Sequence, residues 1–347
     1  MPRVALLAPF AFPSVRGNAI TVSRIARGLA ERGVELRVWD LSVTAEPTLE
    51  REIEAYRPAL IHAFHAFRVG PLALKLSRRA EIPLVVTITG TDGNHDLFDP
   101  ARAPVVRRVL EGAARITAFH ASVVQRLTSV LPDLGGRIVT VPQAVRLSPR
   151  EPFDLDARWL LPPDRMLFVF PAGIRMVKNP LLPIGPIERL VGRHPGVRLL
   201  YAGPILDPEA GEAFLRALEG RPWVRHVGAV PHAQMASLLF RADVVLNCSI
   251  SEGGMANSVL EALALGRPVL ASDIPGNRSL ITPGVTGLLF RDEAELEAEA
   301  EELVRDPALR ARLGHAGREL VERLYPIGRE IDGYLGVYQS LVPVLSA

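Results

Sequence analysis

Short apolar runs alternate with amphipathic stretches from one end of the chain to the other. Val4–Ala8 is a continuous apolar run closed by Pro9. After a loop over residues 9–18, the stretch Ala19–Arg32 repeats its apolar positions at helical spacing. Gly33 stops that helix, and Glu35–Trp39 reads as the next strand. The rhythm continues through Ala59–His62, Leu84–Ile88, Arg115–Phe119 and Arg137–Val141. Strands of this length alternating with helices make βα units, and βα units make a parallel sheet covered on both faces.

From Arg146 to Asp164 the rhythm breaks at Pro149, Pro152, Pro162 and Pro163. A second series follows, with strands at Met166–Phe170, Val197–Tyr201, Val224–Val227, Val244–Asn247, Pro268–Ala271 and Gly287–Phe290. The pattern predicts an α/β chain of two doubly wound, Rossmann-like domains, residues 1–148 and 166–325, joined by a linker over 149–165. The tail beyond Pro307 reads as two or three helices interrupted at Pro326, with the last, 326–347, expected to pack back on the first domain. Ligands of such sheets bind beyond the carboxyl ends of the strands, so a cleft between two facing domains is the expected site. The acidic run Asp292–Glu302 reads as a solvated helix face.

Composition narrows the class. Of 347 residues 48% are hydrophobic and 22% charged, which is a globular chain rather than a disordered one. The 40 basic against 38 acidic residues give no basic surplus of the kind a nucleic-acid binder needs. Only Lys75 and Lys178 are lysine. The lone Cys248 excludes an internal disulfide framework and a multi-cysteine zinc site, and no metal site is expected. No apolar stretch approaches the ~18 residues of a membrane span. The start lacks the charged region and cleavage site of a signal peptide. A cytoplasmic protein is expected, with membrane contact at most peripheral, through the arginines of residues 102–126.

The densest chemistry lies between Ser249 and Val269. This segment follows the strand Val244–Asn247 and opens a helix near Ala256 that ends at Gly266 and Pro268. Gly253 and Gly254 let the chain turn tightly and bring backbone N–H groups close to a ligand. The helix start, with Asn257 and Ser258, offers unpaired N–H groups and a positive dipole end that suit a diphosphate. Glu261, on the same helix, is placed to accept from ribose hydroxyls, and Glu252 to reach a sugar ring. A second constellation, Pro171-Ala-Gly173-Ile-Arg175-Met-Val-Lys178-Asn-Pro180, follows the strand Met166–Phe170. An arginine and a lysine on one short loop neutralise a diphosphate, the first as a fork and the second as a point charge.

Glu252-Gly253 with Leu260-Glu261-Ala-Leu-Ala-Leu-Gly266-Arg-Pro-Val269 resembles the donor-site motif of the retaining glycosyltransferases of the GT-B fold, the group that includes glycogen and sucrose synthases. That group usually has seven residues between its two glutamates, and here there are eight. Ile274-Pro-Gly-Asn277, Gly284-Val-Thr-Gly-Leu-Leu-Phe290, Asp306-Pro-Ala-Leu309 and Gly317-Arg-Glu319 extend the likeness, most closely to the glycosyltransferase 1 domain-containing subgroup. The resemblance implies a nucleotide diphosphate sugar, a UDP-sugar first, as donor substrate, with no separate cofactor and no metal. Arg175, Lys178, Asn257 and Ser258 would hold the diphosphate and Glu261 the ribose. Glu252 and Asp92 would orient the sugar, and the backbone near Val230 in the turn Val227–His232 would read the base. It also places Gly17, beside Asn18, near both donor phosphate and acceptor.

The loop after Leu84–Ile88 reads Thr89-Gly-Thr-Asp92-Gly-Asn-His95-Asp96. Thr89 stands where many members of the family carry a histidine. The Thr-Gly-Thr-Asp run is similar to that of the selenosugar synthases, so transfer onto a (seleno)phosphate acceptor is one alternative activity, and a nucleotide-sugar epimerase on the same scaffold is another. Asp92 fits either a sugar-hydroxyl contact or a turn. His95 and His120 are acid–base candidates, His120 more often a structural strand-end residue, whereas His62 and His65 sit in an apolar segment and are expected to be packed. No G-x-G-x-x-G follows the first strand, which removes the dinucleotide-binding reading.

Overall fold

The structure is a computed structural model that describes residues 2–14, 16–147, 151–162 and 164–343. By its contacts the chain divides into two units. The first runs through Ala144 and includes Gly253–Met255 and the chain from Tyr325 onward; the second takes Val145–Glu252 and Ala256–Leu324.

In the first unit six parallel strands form one sheet: β1 (Arg3–Ala8), β2 (Glu35–Asp40), β3 (Leu60–Phe64), β4 (Leu84–Thr87), β5 (Arg115–Ala118) and β6 (Ile138–Thr140), in the order β2-β1-β3-β4-β5-β6. The connecting helices are α1 (Gly17–Glu31), α2 (Glu46–Tyr56), α3 (Gly70–Ala80), α4 (Ala103–Gly112) and α5 (Ala121–Val130). The apolar run of β1 divides by its period of two. Val4, Leu6 and Ala8 face one core, and Ala5 and Leu7 the other, so both faces of the sheet are buried.

The 151–162 segment, expected as part of a linker, packs on the second unit. It contains the short helix α6 (Leu155–Arg158) and buries Phe153, Leu155 and Trp159. The Phe153 N–H donates to Ser237 Oγ at 3.2 Å and Arg241 pairs with Asp156. Prolines had marked a break in helix–strand rhythm, which is not a break in burial. Residues 149, 150 and 163 of the expected linker, and 148 at the end of the first expected domain, lie outside the described residues.

The second sheet comprises β7 (Met166–Phe170), β8 (Val197–Tyr201), β9 (Val224–His226), β10 (Val244–Asn247), β11 (Val269–Ser272) and β12 (Leu288–Phe290), ordered β12-β11-β10-β7-β8-β9 and parallel throughout. Its helices are α7 (Ile184–Arg193), α8 (Pro208–Leu218), α9 (His232–Arg241), α10 (Asn257–Ala264), α11 (Pro275–Arg278), α12 (Glu293–Arg305) and α13 (Pro307–Leu324). The acidic helix α12 pairs Glu297 and Glu301 with Arg189 and Arg193 of α7.

Pro326 ends the run of helices on the second unit, and α14 (Ile327–Gln339) belongs to the first. It packs on α1, where a Cβ on Gly28 would stand 2.4 Å from Ile331 Cδ1 and would displace that side chain. Buried Arg24 of α1 forks onto both oxygens of buried Glu330 at 2.8 and 2.9 Å. The Tyr338 hydroxyl lies 2.6 Å from His62 Nδ1, His62 Nε2 lies 2.6 Å from Thr87 Oγ1, and Thr87 meets Thr117 at 2.6 Å. No helix among the described residues is long and apolar enough to cross a membrane.

Candidate active site

In the second sheet, β7 lies between β10 and β8, so the chain leaves β7 and β10 in opposite senses. This is the topological switch point, where open α/β sheets bind ligands beyond their carboxyl ends. The two loops that carry the candidate residues are those that follow β7 and β10.

After β7, the backbone runs through Gly173 to Ile174, which bridges Ile205. A Cβ on Gly203 of the neighbouring loop would stand 2.2 Å from Ala172 O, so the two backbones cross at a distance only glycine allows. Exposed Arg175 leads into a single tight turn, Met176–Lys178, closed by Asn179 at φ +49°. The Ile250 N–H donates to Val177 O at 3.0 Å and ties this turn to the loop after β10.

Lys178 and Glu252 meet in an ion pair, their side chains 13% and 12% exposed. Lys178 Nζ and Ser249 Oγ, the latter at 2.6 Å, donate to Glu252 Oε1, and Asn247 Nδ2 donates to it at 3.2 Å. Burial pushes the Glu252 carboxyl up, but Lys178 and the two hydrogen bonds outweigh it and hold the group below its ordinary value. Behind it, Asn247 Oδ1 accepts from the Ser249 N–H at 3.1 Å, Ser272 Oγ donates to Ser249 O, and buried Asn277 donates to Ser272 O at 2.9 Å. Gly254 turns the chain at φ +145°, and α10 opens at Asn257 with Ala256 extended before it and no side-chain cap. Ser258 is half-buried beside it.

Glu261, one turn into α10, is paired with a residue the sequence reading passed over. His232 Nε2 lies 2.9 Å from Glu261 Oε1. His232 opens α9 directly after the turn that contains Val230, which is buried, and Gly228, at φ +72°. Gly203 N donates to Gly228 O at 2.8 Å and fixes that turn to the loop after β8. Arg175, Lys178, Glu252, Asn257, Ser258, Glu261 and Val230 are therefore carried on loops and helix starts at one end of one sheet.

The residues of the first unit sit at the carboxyl ends of β1, β3, β4 and β5. Gly17 starts α1, and Asn18 donates to Thr89 Oγ1 at 3.3 Å. Asp92 has its carboxylate turned inward and is 0% exposed. It accepts from the N–H groups of Ala66 at 2.8 Å, Gly90 at 2.8 Å and Thr89 at 3.1 Å. Of its two sequence readings the structure shows the turn role, and residues 92–96 form one wide helical turn closed by Leu97 N donating to Asp92 O. His120 caps α5, accepting from the Ser122 N–H at 3.2 Å, and burial lowers its pKa. His95 is exposed, whereas His62 and His65 are buried. No group of three His, Cys, Asp or Glu among the described residues is arranged to hold a metal.

Two family descriptions match the chain. "Glycosyl transferases group 1" covers residues 153–320, and "Glycosyl transferase 4-like domain" covers 39–144. The chain is a glycosyltransferase, with a group 1 domain in its second half and a 4-like domain in its first. The glycosyltransferase is 28% identical to glycosyltransferase 1 domain-containing protein 1 of Xenopus tropicalis, over 94% of each chain. It is also 28% identical to a D-inositol 3-phosphate glycosyltransferase of Frankia alni, over 92% of this chain and 82% of that one. Among solved structures, sucrose-phosphate synthase from Thermosynechococcus elongatus superposes with a TM-score of 0.85 at 20% identity, over 99% of this chain and 100% of that one. Anabaena HepE in complex with UDP and glucose gives 0.78 at 15% identity, over 98% and 100%. These similarities give the glycosyltransferase the GT-B fold.

Proposed function

We propose that the glycosyltransferase transfers the sugar of a UDP-sugar to a hydroxyl acceptor with retention of anomeric configuration and without a divalent metal. The observation that carries this reading is the meeting of Lys178 and Glu252 at the switch point of the second sheet, beside the uncapped start of α10. Arg175, Lys178 and the first N–H groups of α10 supply the positive charge that a leaving diphosphate needs, preorganised at the place where negative charge develops. That is the work a metal does in other transferases. Glu261 takes the ribose hydroxyls, and the backbone at Gly228–Val230 takes the base edge. Glu252, fixed by three donors on one oxygen, orients the sugar.

The bond from the anomeric carbon to the diphosphate breaks as the acceptor oxygen forms its bond to the same face. The acceptor proton passes to the departing phosphate oxygen, so no side-chain base is required. The structure of HepE with UDP and glucose supports the choice of uridine as base. Proton NMR of the product formed from a UDP-α-sugar in the presence of EDTA tests the reading. An α-linked product formed at an undiminished rate is expected; a β-linked product, or loss of activity with EDTA, contradicts it.

A further inference from the structure

The first sheet has a switch point of its own. β1 lies between β2 and β3, so the loops leaving β1 and β3 diverge from adjacent strand ends, and a crevice at such a place takes a ligand. Phe10, in the loop after β1, carries two guanidinium groups against its ring. Arg16 Cζ lies 3.9 Å from the ring centroid, and Arg68 Cζ, from the loop after β3, lies 5.8 Å from it. Arginine favours such a ring both by stacking and by cation–π attraction.

Neither guanidinium has a carboxylate partner among the described residues, which sets the pair apart from Arg24, Arg102, Arg189 and Arg193. Carboxylates at the ends of β2 and β4 have other hydrogen-bond partners. Asp40 accepts from Ala11 N at 2.7 Å and from both Ser42 N and Ser42 Oγ at 2.7 Å. Asp92 is enclosed by backbone N–H groups, and Asp96 is paired with Arg102 at 2.8 Å. The start of α1 adds to the positive end. Arg16 is its extended N-cap residue, with no side chain capping the first turn. Two cations gathered on one ring beside a helix start, neither paired with a carboxylate among the described residues, make a site for an anion.

We propose that the acceptor is a small hydroxyl compound bearing a phosphate or carboxylate, and that Arg16 and Arg68 hold that anionic group on the first unit. The inference rests on the donor reading above, in which the diphosphate is held by Arg175 and Lys178 of the second unit and leaves these arginines for the acceptor. Asn18 and Thr89, hydrogen-bonded to each other at the neighbouring strand end, present polar groups suited to the acceptor's hydroxyls.

Thermal shift and calorimetry on the full chain saturated with UDP test this. The probes are sugar phosphates, cyclitol phosphates and uronic acids, each beside its neutral parent. At least one anionic compound is expected to bind where its parent does not, with phosphates against uronates telling which anion is read. Arg16→Gln and Arg68→Gln are each expected to weaken that binding about tenfold or more, the loss of one charge-assisted contact, while UDP affinity stays at the wild-type value. Binding of neutral parents as tight as of the anions, no binding of any anion at about 1 mM (the upper end of usual KM values), or variants that respond like wild type would overturn it. Parallel loss of UDP affinity in the variants would also overturn it, because the pair would then serve the donor. Failure of UDP itself to bind the wild-type chain would instead bring down the donor reading.

Discussion

Glu252 is a carboxylate whose charged form burial disfavours and its neighbours restore. Lys178, Ser249 and Asn247 all direct donors at one of its oxygens. The rarity of lysine in this chain gives the residue its meaning. A compact ammonium fits between a buried carboxylate and a diphosphate, where a guanidinium fork would need a planar partner on each side. His232 acts on a second carboxylate. Its bond to Glu261 constrains which way that group faces, and in the proposed donor site, where Glu261 would accept from ribose hydroxyls, a free orientation would cost affinity. His232→Ala is expected to weaken UDP binding about fivefold, roughly 1 kcal/mol, with a smaller effect on 2′-deoxy-UDP. Equal losses for the two nucleotides, measured by calorimetry, would show that the histidine does not work through Glu261.

Much of this site was legible as residues. The Arg175/Lys178 loop and the Glu252–Glu261 segment stand out because charged groups and glycines follow apolar runs. His232 did not stand out, since one histidine after Val-Pro carries no periodic signal and its partner lies 29 positions away. Asn247 left a fainter trace, a polar residue closing an otherwise apolar strand. The inward turn of Asp92 was beyond reach, because a turn-forming aspartate and a sugar-binding one have the same neighbours in sequence.

At the scale of elements, α14 is held to the first unit by buried polar contacts as well as apolar ones. Arg24 and Glu330 are both buried and joined by two bonds, so removing one partner leaves an uncompensated charge. Arg24→Ala is expected to cost about 3–5 kcal/mol in chemical denaturation, whereas Arg32→Ala, at the exposed Arg32–Asp332 pair, should cost within about 1 kcal/mol. The contact between α14 and β3 also titrates. Burial pushes His62 down to about 3 from 6.5. A group with a lowered folded-state pKa gives its full stability above the unfolded value and loses it as pH falls. The wild-type chain should therefore lose melting temperature between pH 7 and pH 4 more steeply than His62→Gln; parallel melting curves would remove His62 from the account. Element positions followed closely from periodicity, with strand ends displaced by one or two residues. The 151–162 segment differed because Phe153, Leu155 and Trp159 mix a spacing of two with a spacing of four and sustain neither period, yet each finds a buried place.

At the scale of the whole molecule, two sheets of the same kind each present a switch point, and the candidate chemistry divides between them. Lys178 and Glu252 follow β7 and β10, and Arg16 and Arg68 follow β1 and β3. Alternating patterns are enough to read two such sheets from sequence, because the central strands are buried on both faces and every crossover needs a helix. Strand order is set by which edges pair, and that information is spread over the whole domain. The central claim is that the switch point of the second sheet is a diphosphate site. Calorimetric titration of UDP into the full wild-type chain and into Lys178→Ala tests it most directly. One UDP per wild-type chain, bound at least about tenfold more weakly by the variant, is the expected result, since a charge-assisted contact is worth about 1.5–3 kcal/mol. No binding to the wild-type chain, or equal affinity in the variant, would contradict it.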